Sequence, residues 1–150
     1  MQERKLYIYK ASAGAGKTFF LTESFLILAF RAPAYFRKVL AVTFTNKAAE
    51  EMKTRITEQI NQLAENPDTS QHLAALKKVF PHKTKESIQK EAEAIRNEIL
   101  HNYSLFSVST IDSFVQKIIR AFTFEMNLRS NYNVQLDTES VMVDLRDRLL

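Results

Sequence analysis

Gly14, Gly16, Lys17 and Thr18 fall within the run Ala11-Ser12-Ala13-Gly14-Ala15-Gly16-Lys17-Thr18, and these are residue types that hold phosphate. Glycine permits backbone angles, and a closeness to ligand, that a side chain would block. Successive N–H groups then point inward as an anion nest at the positive end of the helix that follows. Lys17 is spaced to reach the β- and γ-phosphates of a nucleoside triphosphate, and the Thr18 hydroxyl to hold Mg²⁺. Only two glycines occur in the 150 residues, and both lie in this run. The full pattern is G-x-x-x-x-G-K-[ST]; Ala11 stands where its first glycine would be, so the match is one residue short.

A phosphate loop works only if a strand and a helix hold it. Leu6-Tyr7-Ile8-Tyr9 reads as a short buried strand before it, and Phe19 to Phe30 as a helix after it. Pro33 breaks the chain within Arg31-Ala32-Pro33-Ala34-Tyr35-Phe36. Val39 to Phe44 is a second apolar run rich in strand formers, so strand, helix and strand make a βαβ unit with parallel strands. Ala48, Ala49, Met52, Ile56, Ile60 and Leu63 then share one helical stripe, which Thr45 or Asn46 can cap and Asn66-Pro67-Asp68 ends. Ser70 to Phe80 and Glu86 to Leu100 predict two further amphipathic helices. Leu105 to Ser109 predicts a third strand, followed by a helix with Phe114, Val115, Ile118, Ile119, Phe122 and Met126 on an inner face. Val134 and Leu136 suggest a short extended piece, and Thr138 to Leu150 a last helix. That helix is apolar to its final residue with no stop signal, an ending expected of a cut chain.

Composition narrows the classes. Apolar content of 45% and charged content of 25% are ordinary for one globular domain with a real core. There is no cysteine, so disulfides and thiolate metal sites are excluded. His72, His82 and His101 show no ligand spacing. Neither a signal peptide nor a membrane-spanning run is present, so no membrane partner and a cytoplasmic location are expected. The net charge of +4 is uneven: residues 1–45 carry seven basic and two acidic side chains, whereas 46–101 carry nine of each. That excess beside the loop suits a polyanion, nucleotide or nucleic acid; a solvated basic surface fits the charge as well.

Two other junctions carry polar chemistry at strand ends. At Thr43-Phe44-Thr45-Asn46-Lys47, side chains at the carboxyl end of a parallel strand point into a ligand crevice. Phe44 could stack on a base while Thr45 and Asn46 meet phosphates; equally, Phe44 is core and Thr45-Asn46 a cap. Ser107 to Ser113 is again hydroxyl-rich, and capping alone accounts for Thr110 and Asp112. For a metal-holding acid the chain offers Val141-Met142-Val143-Asp144, but its neighbours read as helix, which favours a surface aspartate.

Together the three junctions resemble superfamily-one DNA helicases of the UvrD/RecB-like branch. Ala11 to Thr18 resembles the first motif, where Ala at the first position is common. Val39 to Met52 is similar to motif Ia nearly residue for residue, and Val108-Ser109-Thr110-Ile111-Asp112-Ser113-Phe114 to motif Ib in its RecB/AddA-like form. The resemblance implies an α/β fold: a P-loop NTPase with a RecA-like parallel sheet of at least three strands, part of motor domain 1A. A helical insertion is expected at about 61–103, with all of 1–150 the N-terminal part of that domain. It implies ATP and Mg as cofactors, with Ala11, Ser12, Ala13, Gly14, Ala15, Gly16, Lys17, Thr18 and Phe19 around the nucleotide, Lys17 and Thr18 catalytic, and Thr18 on the metal. It implies that Phe44, Thr45, Asn46, Lys47 and Thr110 meet single-stranded DNA. Asp112 stands where the family usually has His, which argues against a phosphate contact there.

The expected activity is ATP-driven translocation on single-stranded DNA and duplex unwinding in recombination and repair, alongside other members of a helicase–nuclease complex. The Walker B acids, the arginine finger and the second motor domain are expected beyond Leu150, leaving this stretch alone inactive. Two alternatives stand beside it. One is a small P-loop nucleoside or metabolite kinase, which would need a lid of clustered arginines where residues 70–100 offer only Arg96. The other is a nucleotide-switched binding module.

Overall fold

Thr22, Phe25, Leu26 and Ala29 recur at helical spacing and are the buried side of α1 (Lys17–Ala29). They belong to a computed structural model that describes residues 8–10, 16–122 and 146. Phe30 closes α1 with its N–H on the Leu26 carbonyl at 2.9 Å. Proline lacks the N–H that a first helical position leaves unpaired anyway, so Pro33 can open the 3-10 turn Pro33–Lys38. The break expected there is thus an ordered turn, and it buries Phe36 completely.

The strands β1 (Leu40–Thr43) and β2 (Ser107–Thr110) pair in parallel, with Leu40 opposite Ser107, Ala41 opposite Val108 and Thr43 opposite Thr110. Side chains alternate across a strand, so Ala41 and Val108 share the face turned to the core while Leu40 and Val42 lie exposed on the other.

Between the strands run α2 (Asn46–Glu65), α3 (Leu73–Val79) and α4 (Lys85–His101). Each long helix starts on a threonine cap: Thr45 accepts from the Ala48 N–H and Thr84 from the Ser87 N–H, both at 3.2 Å. The stripe Met52, Ile56, Ile60 and Leu63 of α2 and the stripe Ile88, Ala92, Ile95 and Ile99 of α4 enter one buried cluster with Phe25 and Leu26 of α1, Phe30 just past its end, and Phe36. Burying each large apolar side chain there contributes roughly 1.5–3 kcal/mol. Lys83 ties these parts together. Its ammonium donates to the Phe30 carbonyl at 2.7 Å, pairs with Glu91, and lies 4.5 Å from the Phe80 ring centroid.

The chain divides into two compact units, one ending at Ile111 and the other starting at Asp112. Helix α5 (Ile111–Ala121) follows β2 directly and is strongly amphipathic. The inner face expected of it is not buried: Val115 and Ile118 are exposed, as is Phe122 just beyond its end.

Several expectations need correction. The sheet has two strands among the described residues rather than three. Of the strand expected at 6–9, residues 6 and 7 lie outside the described residues, and Ile8 and Tyr9 form no strand; Ile8 is 76% exposed. Two residues with no ladder partner cannot satisfy a strand's backbone groups, and Tyr9 instead lays its ring 4.4 Å from that of Phe20. The last strand begins at Ser107, because Tyr103–Leu105 is a 3-10 turn whose closing bond runs from the Phe106 N–H to the Tyr103 carbonyl. The helix expected from Ser70 starts at Leu73, since the Ser70 hydroxyl accepts the His72 N–H in a turn. Asp144, the piece at Val134 and Leu136, and the last helix save for Arg146 lie outside the described residues.

Candidate functional site

The phosphate end begins at Gly16, whose φ of 74° places it in the left-handed region that glycine reaches without strain. Its carbonyl accepts the Phe20 N–H at 3.0 Å, the first bond of α1. Among the described residues no side chain caps this helix start and no acidic residue sits in its first turn. The positive end of a helix dipole attracts anions. Lys17 is exposed and Thr18 half-buried, with Ala11 to Ala15 outside the described residues. Among the described residues no cluster of three acids or histidines could hold a metal by itself.

The second edge lies where β1 and β2 end together. Thr43 and Thr110 are partners in the ladder, so the two strands end at the same level. Phe44 is 86% exposed, so it is not core. The ladder ends at Thr43 and α2 begins at Asn46, so Phe44 sits at the bend with no layer to cover it. Thr45 is the cap of α2, yet its hydroxyl hydrogen is left to donate, since a hydroxyl accepts and donates at once. Asn46 and Lys47 are exposed beside it. Thr110 is only 6% exposed and lies beneath this surface rather than on it.

Of the expected site residues, one cleft between α1 and α2 brings together only Phe19 and Lys47. It has a volume of about 560 Å³, and both Phe19 of α1 and Lys47 of α2 line it. Its far wall is His72, buried and stacked on Phe19 with ring centroids 4.3 Å apart, its Nδ1 3.4 Å from the Glu23 carboxylate. Sequence reasoning missed Thr22, Gln59 and His72, all buried here. The recurrence of Lys47, Glu51, Thr54, Arg55 and Glu58 at helical spacing was the available signal for a polar wall; the meeting of residues 19 and 72 left none.

The UvrD/REP helicase N-terminal domain model matches residues 2–149. The chain belongs to this family. As a UvrD/REP helicase N-terminal domain it is 29% identical over 135 residues to an ATP-dependent helicase/nuclease subunit of Bacillus mycoides, covering 89% of this chain and 9% of that protein. The like-named protein of Lactobacillus acidophilus is 29% identical over 140 residues, covering 93% of this chain and 10% of that one. The domain thus spans about a tenth of the length of the curated relatives it matches. No solved structure matches it. No helix among its described residues is long and apolar enough to cross a membrane.

Proposed function

We propose that this UvrD/REP domain is the nucleotide-binding part of motor domain 1A in an ATP-dependent DNA helicase of the RecB/AddA kind, a P-loop NTPase with a RecA-like sheet. The stretch from about 61 to 103 is its helical insertion. The observation that supports this most is the pairing of Thr43 with Thr110, with exposed Phe44 at the bend just past the ladder. Lys17 holds the β- and γ-phosphates of ATP, and backbone N–H groups from Ala11 to Phe19 surround them. The Thr18 hydroxyl holds Mg²⁺, which when bound neutralises phosphate charge. Phe44 stacks on a base, Thr45 donates its hydroxyl hydrogen to a phosphate, and Asn46 and Lys47 add a polar and a cationic contact. Thr110, paired with Thr43 at the neighbouring strand end, lies on the same DNA track. The relatives are named as a helicase/nuclease subunit, which supports a nuclease activity in the longer protein and at least one partner chain. Cytoplasmic DNA is the substrate.

The test measures two affinities on this chain, for a fluorescent ATP analogue and for labelled oligothymidylate. Lys17→Ala should abolish nucleotide binding and spare oligonucleotide binding. Phe44→Ala should weaken the oligonucleotide about tenfold, because base–aromatic stacking contributes ~1–3 kcal/mol. Unchanged oligonucleotide affinity in Phe44→Ala, or DNA-stimulated ATP turnover by these 150 residues alone, would overturn the reading.

A further inference from the structure

The cleft between α1 and α2 has features that neither nucleotide nor a phosphate backbone explains. It follows α2 from Lys47 to Gln59, roughly 18 Å at the helical rise. Three carboxylates line it, those of Glu50, Glu51 and Glu58, against the two cations Lys47 and Arg55. Glu50 is joined to Lys53 at 2.9 Å, whereas Glu51 and Glu58 have no ion pair among the described residues. A second, independent feature lies in the same wall. Thr22 lines the cleft at 2% exposure, and its Oγ1 has no hydrogen-bond partner among the described residues. A buried hydroxyl left unpaired costs free energy that a polar ligand group can recover. Beside it the Phe19 ring, backed by His72, is partly open to solvent.

A phosphate would meet Glu51 and Glu58 as well as the cations Lys47 and Arg55, and an apolar side chain would leave Thr22 unpaired. A guanidinium satisfies all three surfaces: it donates to carboxylates in a planar fork, donates to a hydroxyl oxygen, and stacks on an aromatic face. The volume, about 560 Å³, accommodates one such side chain with its flanking backbone. We propose that this cleft docks a basic segment of a partner protein. One arginine of that segment enters between Glu51, Glu58 and the Phe19 ring and donates to Thr22 Oγ1. The site borders the nucleotide and DNA contacts proposed above and shares Phe19 and Lys47 with them, but it does not rest on that reading.

The test is an amide NMR titration of the chain with an acetylated, amidated Gly-Arg-Arg-Gly peptide, the same peptide with citrulline for arginine, and oligothymidylate. The arginine peptide should move the Phe19, Thr22 and His72 amide signals saturably, and the citrulline peptide should not. Glu51→Gln with Glu58→Gln should weaken it at least about tenfold, while Glu65→Gln with Glu93→Gln leaves it unchanged. Thr22→Val, which keeps the shape and removes the hydroxyl, should weaken it without disturbing signals elsewhere; a merely structural Thr22 would leave peptide affinity intact. The proposal is overturned if no saturable shift occurs, if the shifts survive Glu51→Gln with Glu58→Gln, or if oligothymidylate moves these signals and the peptide does not.

Discussion

Replacing Lys83 by Met keeps the aliphatic stem and removes only the charge. The ammonium donates to the carbonyl that ends α1, pairs with Glu91 of α4 and sits over the Phe80 ring, with its side chain 13% exposed. A hydrogen bond from a charged donor contributes ~1.5–3 kcal/mol, the helix-end charge ~0.3–1 and the cation–π contact ~0.5–2. These share one ammonium and do not add fully. Glu91 is also exposed enough to rehydrate once abandoned, so part of the loss is recovered. The expected cost is about 2–3 kcal/mol. Urea unfolding followed by circular dichroism should show it as a midpoint lowered by about 1 M or more, since m is roughly 1–3 kcal/mol/M. Glu91→Gln should cost less than half as much, because Lys83 keeps the carbonyl and the ring. A Lys83→Met midpoint indistinguishable from the parent's, or a Glu91→Gln cost equal to that of Lys83→Met, would refute the view that one ammonium fastens α1 to α4.

Thr45→Ala should cost about 1 kcal/mol by removing the acceptor for the Ala48 N–H, and Thr45→Ser should restore most of it; both are read from the same unfolding curves. Glu86 responds to acid. A hydrogen bond from its own backbone N–H, then one from Thr84, holds its carboxyl below the ordinary 4.5, with Lys85 and Lys77 helping. A depressed folded value contributes stability that is present above the unfolded value and lost as pH falls through the folded one. The start of α4 should therefore loosen only below about pH 4.5, seen as faster amide exchange at Ser87 and Ile88, and Glu86→Gln should remove that dependence.

Much of the helical layer was legible because its burial follows period. Met52, Ile56, Ile60 and Leu63 repeat every three or four residues and are all buried, and the threonine caps stand where capping chemistry needs them. Phe44 was not legible, because a phenylalanine that continues an apolar run looks the same whether the ladder takes it up or stops before it. Only the end of pairing at Thr43 separates the two. His72 hid for the opposite reason: a polar residue between helices reads as surface, yet Phe19 and Glu23, some fifty positions earlier, enclose it. The expected strand before the loop rested on apolar residues alone, and a short run earns that state only from a neighbour to pair with. The motif order named the family, because motif Ia is specific where a phosphate loop alone is not.

Helix α2 has a mechanical consequence. One end stands at the solvent-facing bend that carries Phe44; the other is anchored through Ile60 and Leu63 in the buried layer shared with α4. Its 20 residues make a rod about 30 Å long. Any molecule that tugs on the bend therefore loads a stiff lever, and the strain arrives far from the point of pull, among close-packed isoleucines that resist being displaced.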